Sequence, residues 1–233
     1  MRWIKIDTAL SVEPVEAVVV VDVIRAMTTA VTAVALGRRC LPVPSLDAAR
    51  ATARRIPRSL LGGELGGQRP AGFDLDNSPA EINRRGDLER PLVLLSSSGT
   101  RLLHEVRNRG AVYAACLRNA AATAAQLLFD RHRHVAILGA ASRGQFREED
   151  QLCCVRIAAL LARAGFRPRD AKTATLIERW RAAPTDALLV SPSARWLVAS
   201  GQGDDLEFVR RHVDDLALAT RLRGDDLVGI GGK

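Results

Sequence analysis

The sequence predicts an α/β protein built on a buried, mostly parallel sheet, and three observations carry that expectation. Val18 to Val21 is an unbroken apolar run ending in Asp22, and Leu92–Leu95, Ala111–Ala115 and His134–Leu138 are similar. Strands covered on both faces read as continuous apolar runs, the usual state of parallel strands between helices. Helical segments alternate with these runs along most of the chain, the signature of βαβ units. With 233 residues, 47% of them apolar, the chain can bury a substantial core.

Taken in order, Trp3 to Asp7 is a short strand candidate, followed by a turn at Glu13-Pro14 and the strand ending at Asp22. Ala26 to Leu36 reads as a helix that stops at Gly37, and Arg39 to Val43 as a strand. Ser45 caps a helix through Ile56, with Asp47 in its first turn, where the dipole favours a carboxylate. Leu60 to Asn77 breaks the rhythm with five glycines and a proline, and reads as an ordered loop anchored by Phe73 and Leu75. Ser78-Pro79-Ala80-Glu81 opens a helix with proline at its first position and a capping-box glutamate.

Leu92–Leu95 runs through Ser96-Ser97-Ser98-Gly99-Thr100-Arg101 into a helix to about Asn108. Ala111–Ala115 leads through Leu117-Arg118-Asn119 into the alanine-rich helix Ala120–Phe129. His134–Leu138 leads through a glycine-rich turn to Glu148-Glu149-Asp150 and a helix to Ala164. Beyond Pro168 the pattern is mainly helical, near 171–182, 193–199 and 204–212, with edge strands expected at Leu216–Leu218 and Leu227–Ile230. No linker or internal repeat divides residues 1–233, so a single domain is expected.

Composition removes several function classes. No apolar run approaches the roughly 20 residues that cross a bilayer, and the N-terminus lacks a signal-peptide core, which points to the cytoplasm. Cys40, Cys116, Cys153 and Cys154 lack metal-ligand spacing and read as small buried hydrophobes. Net charge is +8 and mostly arginine, yet aromatics make up only 4% and no basic segment is interleaved with stacking residues. That argues against nucleic acid and for small anionic partners. The sequence leaves room for a homo-oligomer.

Ligands of open α/β sheets bind beyond the carboxyl ends of strands, which puts Asp22 and Arg25 where a site belongs. The competing reading makes Asp22 a helix cap and Arg25 the partner of a surface carboxylate. The Ser96–Arg101 turn, with hydroxyls, a glycine and a helix N-terminus, is an anion cradle. It lacks P-loop spacing, and neither GxGxxG nor GxSxG occurs in the chain. Glu148, Glu149 and Asp150 are either dipole partners of their helix or part of the site.

Asp22-Val23-Ile24-Arg25-Ala26 with Thr28-Thr29, Gly63-Glu64, Gly72-Phe73-Asp74-Leu75 with Asn77-Ser78-Pro79, Gly99-Thr100-Arg101, Asn119-Ala120 and Glu149-Asp150 form an ordered set. In order and spacing this set resembles the 2-phosphosulfolactate phosphatase, or ComB-like, family over nearly the whole chain. The resemblance implies a three-layer α/β/α sandwich and Mg²⁺-dependent hydrolysis of a phosphate monoester. In the founding members the substrate is 2-phospho-3-sulfolactate, on the way to coenzyme M. Two departures stand out: Ser98 replaces an asparagine in the cradle, and Cys153-Cys154 replaces a frequent Ala-Gly.

On this basis Asp22 and Asp150 are expected to hold Mg²⁺ or Mn²⁺, with Glu64 as third ligand or general base. Arg25, Arg101, Asn119, Asn77 and the Ser98-Gly99-Thr100 turn are expected to hold the substrate's oxygens, Arg25 facing the phosphate and Arg101 a second anion. A non-catalytic binder of anionic phosphorylated metabolites on the same fold is the alternative.

Overall fold

A computed structural model describes residues 1–11, 13–142 and 144–231. In chain order, β1 (Trp3–Asp7), β2 (Ala17–Val21) and α1 (Ala26–Ala35) are followed by β3 (Cys40–Val43), α2 (Leu46–Arg55) and β4 (Leu60–Gly63). Next come α3 (Pro79–Arg84), β5 (Leu92–Leu95), α4 (Gly99–Val106) and β6 (Ala111–Ala115). Then α5 (Ala120–Phe129), β7 (His134–Gly139), α6 (Glu148–Arg163) and the two-residue β8 (Arg167–Pro168) complete the alternating part. The helices α7 (Ala171–Trp180), α8 (Pro192–Ala199) and α9 (Gly203–Arg211) precede the hairpin β9 (Ala219–Arg223) and β10 (Asp226–Ile230).

The strands form one ten-stranded sheet in the order β4-β5-β3-β10-β9-β6-β2-β7-β1-β8. Within β8-β1-β7-β2-β6 and within β3-β5-β4 every pairing is parallel. The hairpin joins the two blocks through three antiparallel pairings, so the blocks run in opposite directions. All five residues of β2 are buried, as its apolar run requires of a strand covered on both faces.

One face of the sheet, with Ile4, Ile6, Val19, Val21 and Ile137, is covered by α5 to α9. The same side of the β3-β5-β4 block is covered by α2 and Phe73 over Val43, Val93 and Leu95. On the opposite face Val18, Val20 and Ala114 from one block and Cys40, Leu92 and Leu94 from the other close over α1 and α4. This is the three-layer α/β/α arrangement. Helix α1 has no charged residue and eight of its ten residues are buried, as a helix enclosed on nearly all sides must be.

Two expectations are corrected. Leu60–Gly63, read as loop, is the edge strand β4 paired with β5. Its two glycines hide the strand from propensity, yet a side chain on Gly63 would overlap the Leu95 carbonyl oxygen. The strand expected at Leu216–Leu218 lies instead at Ala219–Arg223, and it and β10 fill the middle of the sheet rather than its edge. The charged residues they carry into the sheet are paired: Arg221 with Asp130 at 3.8 Å and Asp226 with Arg39 at 2.6 Å. The four cysteines are buried and free. Among the described residues no helix is long and apolar enough to cross a membrane.

Candidate active site

A cleft of about 510 Å³ opens where the turns after β2, β4, β5 and β7 meet. Although the blocks run oppositely, α4 leaves β5 and packs back against β2 and β3, which brings Gly99 against Asp22 and Ala26. A methyl group on Gly99 would overlap Asp22 Oδ2, so only glycine allows this approach.

Asp22 and Asp150 both line the cleft and are buried. Asp22 Oδ1 accepts the Ala26 N–H at 3.0 Å, capping α1 as one reading of the sequence required. Asp150 Oδ1 accepts the Val23 N–H at 2.8 Å, tying α6 to the end of β2. Burial pushes the Asp22 carboxyl up to about 7 against the restraint of the Ala26 hydrogen bond, with the charges of Glu64 and Glu149 adding to the rise. Burial, then the charges of Asp22 and Glu149, holds Asp150 well above the usual carboxylate range. Glu149 is raised too, chiefly by burial, and its Oε2 has no hydrogen-bond partner among the described residues. The cleft floor thus concentrates acid groups whose ionisation the surroundings oppose.

Glu64 follows β4 and is committed to the wall. Its Oε1 accepts the Ser97 N–H at 2.7 Å; its Oε2 accepts the Gly67 N–H at 2.7 Å and the Ser97 hydroxyl at 3.0 Å. In the cradle, Thr100 is fully buried and closes the turn: its hydroxyl accepts the Ser96 N–H at 2.8 Å, and its own N–H donates to Ser96 Oγ at 2.9 Å. Among the described residues the N–H groups of Ser98 and Gly99 find no protein acceptor and stand at the start of α4, an anion site by geometry.

Arg25 lines the cleft, but its guanidinium donates to Asp205 Oδ2 at 2.6 Å and to Gln202 Oε1. Asp205 also accepts from the Ser78 hydroxyl at 2.6 Å and the Ala80 N–H at 3.1 Å, joining α9, α3 and the Arg25 turn. Arg101 lines the cleft with a side chain 67% exposed and paired to Glu105 at 2.9 Å. Asn77 lines it as well, with a buried Oδ1 that has no partner.

Asn119 stands apart. It is fully buried, accepts the Cys116 N–H at 2.9 Å and donates to the Ala114 carbonyl at 3.3 Å, a local cap after β6. Residues that sequence reading passed over include Arg147 at the start of α6, Ser193 and Trp196 of α8, and Asp205. Nothing local marks them. Asp205 looks like an ordinary acidic residue at a helix start, and the loop carrying Arg147 has no motif of its own.

Among the described residues no three His, Cys, Asp or Glu side chains gather as a ready-made metal cage. The donor set is nonetheless that of a hard cation: carboxylate oxygens of Asp22 and Asp150 and the unpartnered amide oxygen of Asn77, with no thiolate or imidazole lining the cleft.

A family model described as 2-phosphosulpholactate phosphatase matches residues 5–218. Several relatives carry the name "probable 2-phosphosulfolactate phosphatase". The chain is 41% identical over 151 residues to one from Pseudothermotoga lettingae, covering 64% of this chain and 65% of that protein. It is 35% identical over 198 residues to one from Parasynechococcus marenigrum, 82% of each chain. It is 32% identical over 212 residues to one from Deinococcus radiodurans, 89% of this chain and 88% of that protein.

Proposed function

Since the chain belongs to the 2-phosphosulpholactate phosphatase family, a family of phosphoric monoester hydrolases, we propose that it hydrolyses the phosphate monoester of a small anionic 2-hydroxy acid. By the names of its relatives, the reaction is 2-phospho-3-sulfolactate to 3-sulfolactate and phosphate. The observation that carries this reading is that two buried carboxylates, Asp22 and Asp150, line one cleft with Ser98, whose N–H, like that of Gly99 packed against Asp22, finds no acceptor among the described residues.

Uncatalysed phosphate monoesters are exceptionally slow to hydrolyse, so the site must stabilise charge on the transferring group. The N–H groups at the start of α4 bind phosphoryl oxygens, and the helix end favours their negative charge. Asp22 and Asp150, with Asn77, would hold Mg²⁺ or Mn²⁺, which supplies Lewis-acid stabilisation of the phosphoryl oxygens when bound. Glu64, gripped by Ser97 and Gly67, holds the mouth of the cradle in place and presents its charge towards Asp22. Arg25, anchored by Asp205, presents a fixed guanidinium beside the phosphate end.

Phosphate release from 2-phospho-3-sulfolactate tests the reading. Activity is expected to vanish after exhaustive EDTA treatment and to return with Mg²⁺ or Mn²⁺. Full activity in EDTA would exclude the divalent cation, and binding of the ester without phosphate release would mark a non-catalytic receptor.

A further inference from the structure

We propose that Arg147 holds the substrate's second anionic group, the sulfonate or carboxylate remote from the phosphate. The inference rests on the reading of the cleft as a phosphomonoester site. A substrate charged at both ends needs a cation for its tail, and three arginines line the cleft among the described residues. Two of them are committed. Arg25 is in a buried pair with Asp205, and a ligand would have to compete with that contact. Arg101 is paired with Glu105, and because its side chain is 67% exposed, solvent would screen any contact it made with a substrate.

Arg147 differs from both. Among the described residues its only side-chain bond is from Nη1 to the neutral amide oxygen of Gln145, at 3.0 Å, and no carboxylate forms an ion pair with it. Its Nε is buried without a partner. A buried donor left unsatisfied is uncommon in a folded protein, and an oxyanion meeting the planar fork would satisfy it.

Its place on the chain fits the task. Arg147 is the residue from which α6 starts, three positions before Asp150, so both side chains belong to the same first turn. The phosphate-end carboxylate and the tail cation are thereby fixed on one rigid element, close enough that Arg147 lowers the Asp150 carboxyl electrostatically. Ser142 and Ser193 line the same cleft and offer hydroxyls to the remaining oxygens of a sulfonate. The role the sequence assigned to Arg101 thus passes to an arginine outside the recognised motifs.

The test compares kcat/KM for 2-phospho-3-sulfolactate with that for isopropyl phosphate, which keeps a secondary phosphate ester but has no anionic tail. Arg147→Gln is expected to lower the ratio of the two by about 10- to 100-fold, the loss of one charge-assisted contact. Arg147→Lys is expected to recover part of the ratio, and Arg101→Gln to shift it less than Arg147→Gln does. Equal losses on both esters, or a larger shift from Arg101→Gln, would overturn the assignment.

Calorimetric titration with 3-sulfolactate, which has no phosphate, reads the same contact without turnover. Wild type is expected to bind it at least about 10-fold more tightly than Arg147→Gln. If neither ester is hydrolysed but this difference persists, the phosphatase reading fails and the role of Arg147 stands. If hydrolysis proceeds and binding does not depend on Arg147, the reverse holds.

Discussion

Asp22 couples the cleft to pH through the cost of ionising a buried acid. Its folded-state value, about 7, lies above the ordinary 3.8, so the folded protein retains a proton that the unfolded chain gives up. The associated stability is fully present below about pH 4 and is lost as pH rises through 7, an effect on the order of 4 kcal/mol. In EDTA the melting temperature is expected to fall between about pH 4 and pH 7 and to level off above that. Asp22→Asn should flatten that fall and added Mg²⁺ should shrink it; a flat wild-type profile would contradict the account. Gly99 is the second test at this scale. Gly99→Ala forces a methyl group onto Asp22 Oδ2, and the displaced carboxylate should cost on the order of 100-fold in kcat/KM on any phosphate ester. Unchanged kinetics would mean that α4 can shift without disturbing Asp22.

The segment between α1 and β5 is held by a guanidinium rather than by apolar packing alone. Arg38 is 1% exposed and donates to the carbonyls of Asp87 and Arg90 at 2.7 and 2.6 Å and to Asp87 Oδ1 at 2.9 Å. Hydrogen bonds from Arg85 and Arg38 hold the Asp87 carboxyl well below the usual range. The stability this contributes is present above about pH 4 and is lost as pH falls below it. Asp87→Asn should cost about 1–3 kcal/mol in urea melts at pH 7 and much less at pH 3; equal losses at both would remove the ionic explanation. Elements of this kind mark the limit of what the sequence discloses. The apolar runs of β2, β5, β6 and β7 and the caps Ser45 and Ser78 are local signals, and the structure has them where the pattern places them. Asp22, Glu64, Asn77, Ser98, Arg101 and Asp150 could be foreseen as neighbours of one cleft because each follows a strand or carries a motif. The Arg25–Asp205 pair spans 180 residues, and a contact at that separation has no local trace. Asn119 shows the converse: a motif residue whose hydrogen bonds are all to neighbouring backbone.

At the scale of the molecule, the hairpin of β9 and β10 is the joint between the two parallel blocks. Tyr113 and Ala114 of β6 pair with Arg221 and Thr220, and Leu227 reaches Cys40 of β3. A chain ending at residue 218, where the family match ends, would expose the edges of both β6 and β3. Such a truncation is expected to be insoluble or to lack a cooperative thermal transition, because open apolar strand edges invite pairing with other chains. A soluble, cooperatively melting 1–218 fragment would show that each block is complete without the hairpin. The same topology bears on how the protein is made. A ribosome synthesises from the N-terminus, so every strand of both blocks emerges before the pair that joins them. The nascent chain can build two half-sheets but cannot unite them until its final strand leaves the exit tunnel. Emergence of β10 is therefore the event that permits the sheet to close, and a ribosomal pause just before it would leave the half-sheets exposed to the cell's chaperones.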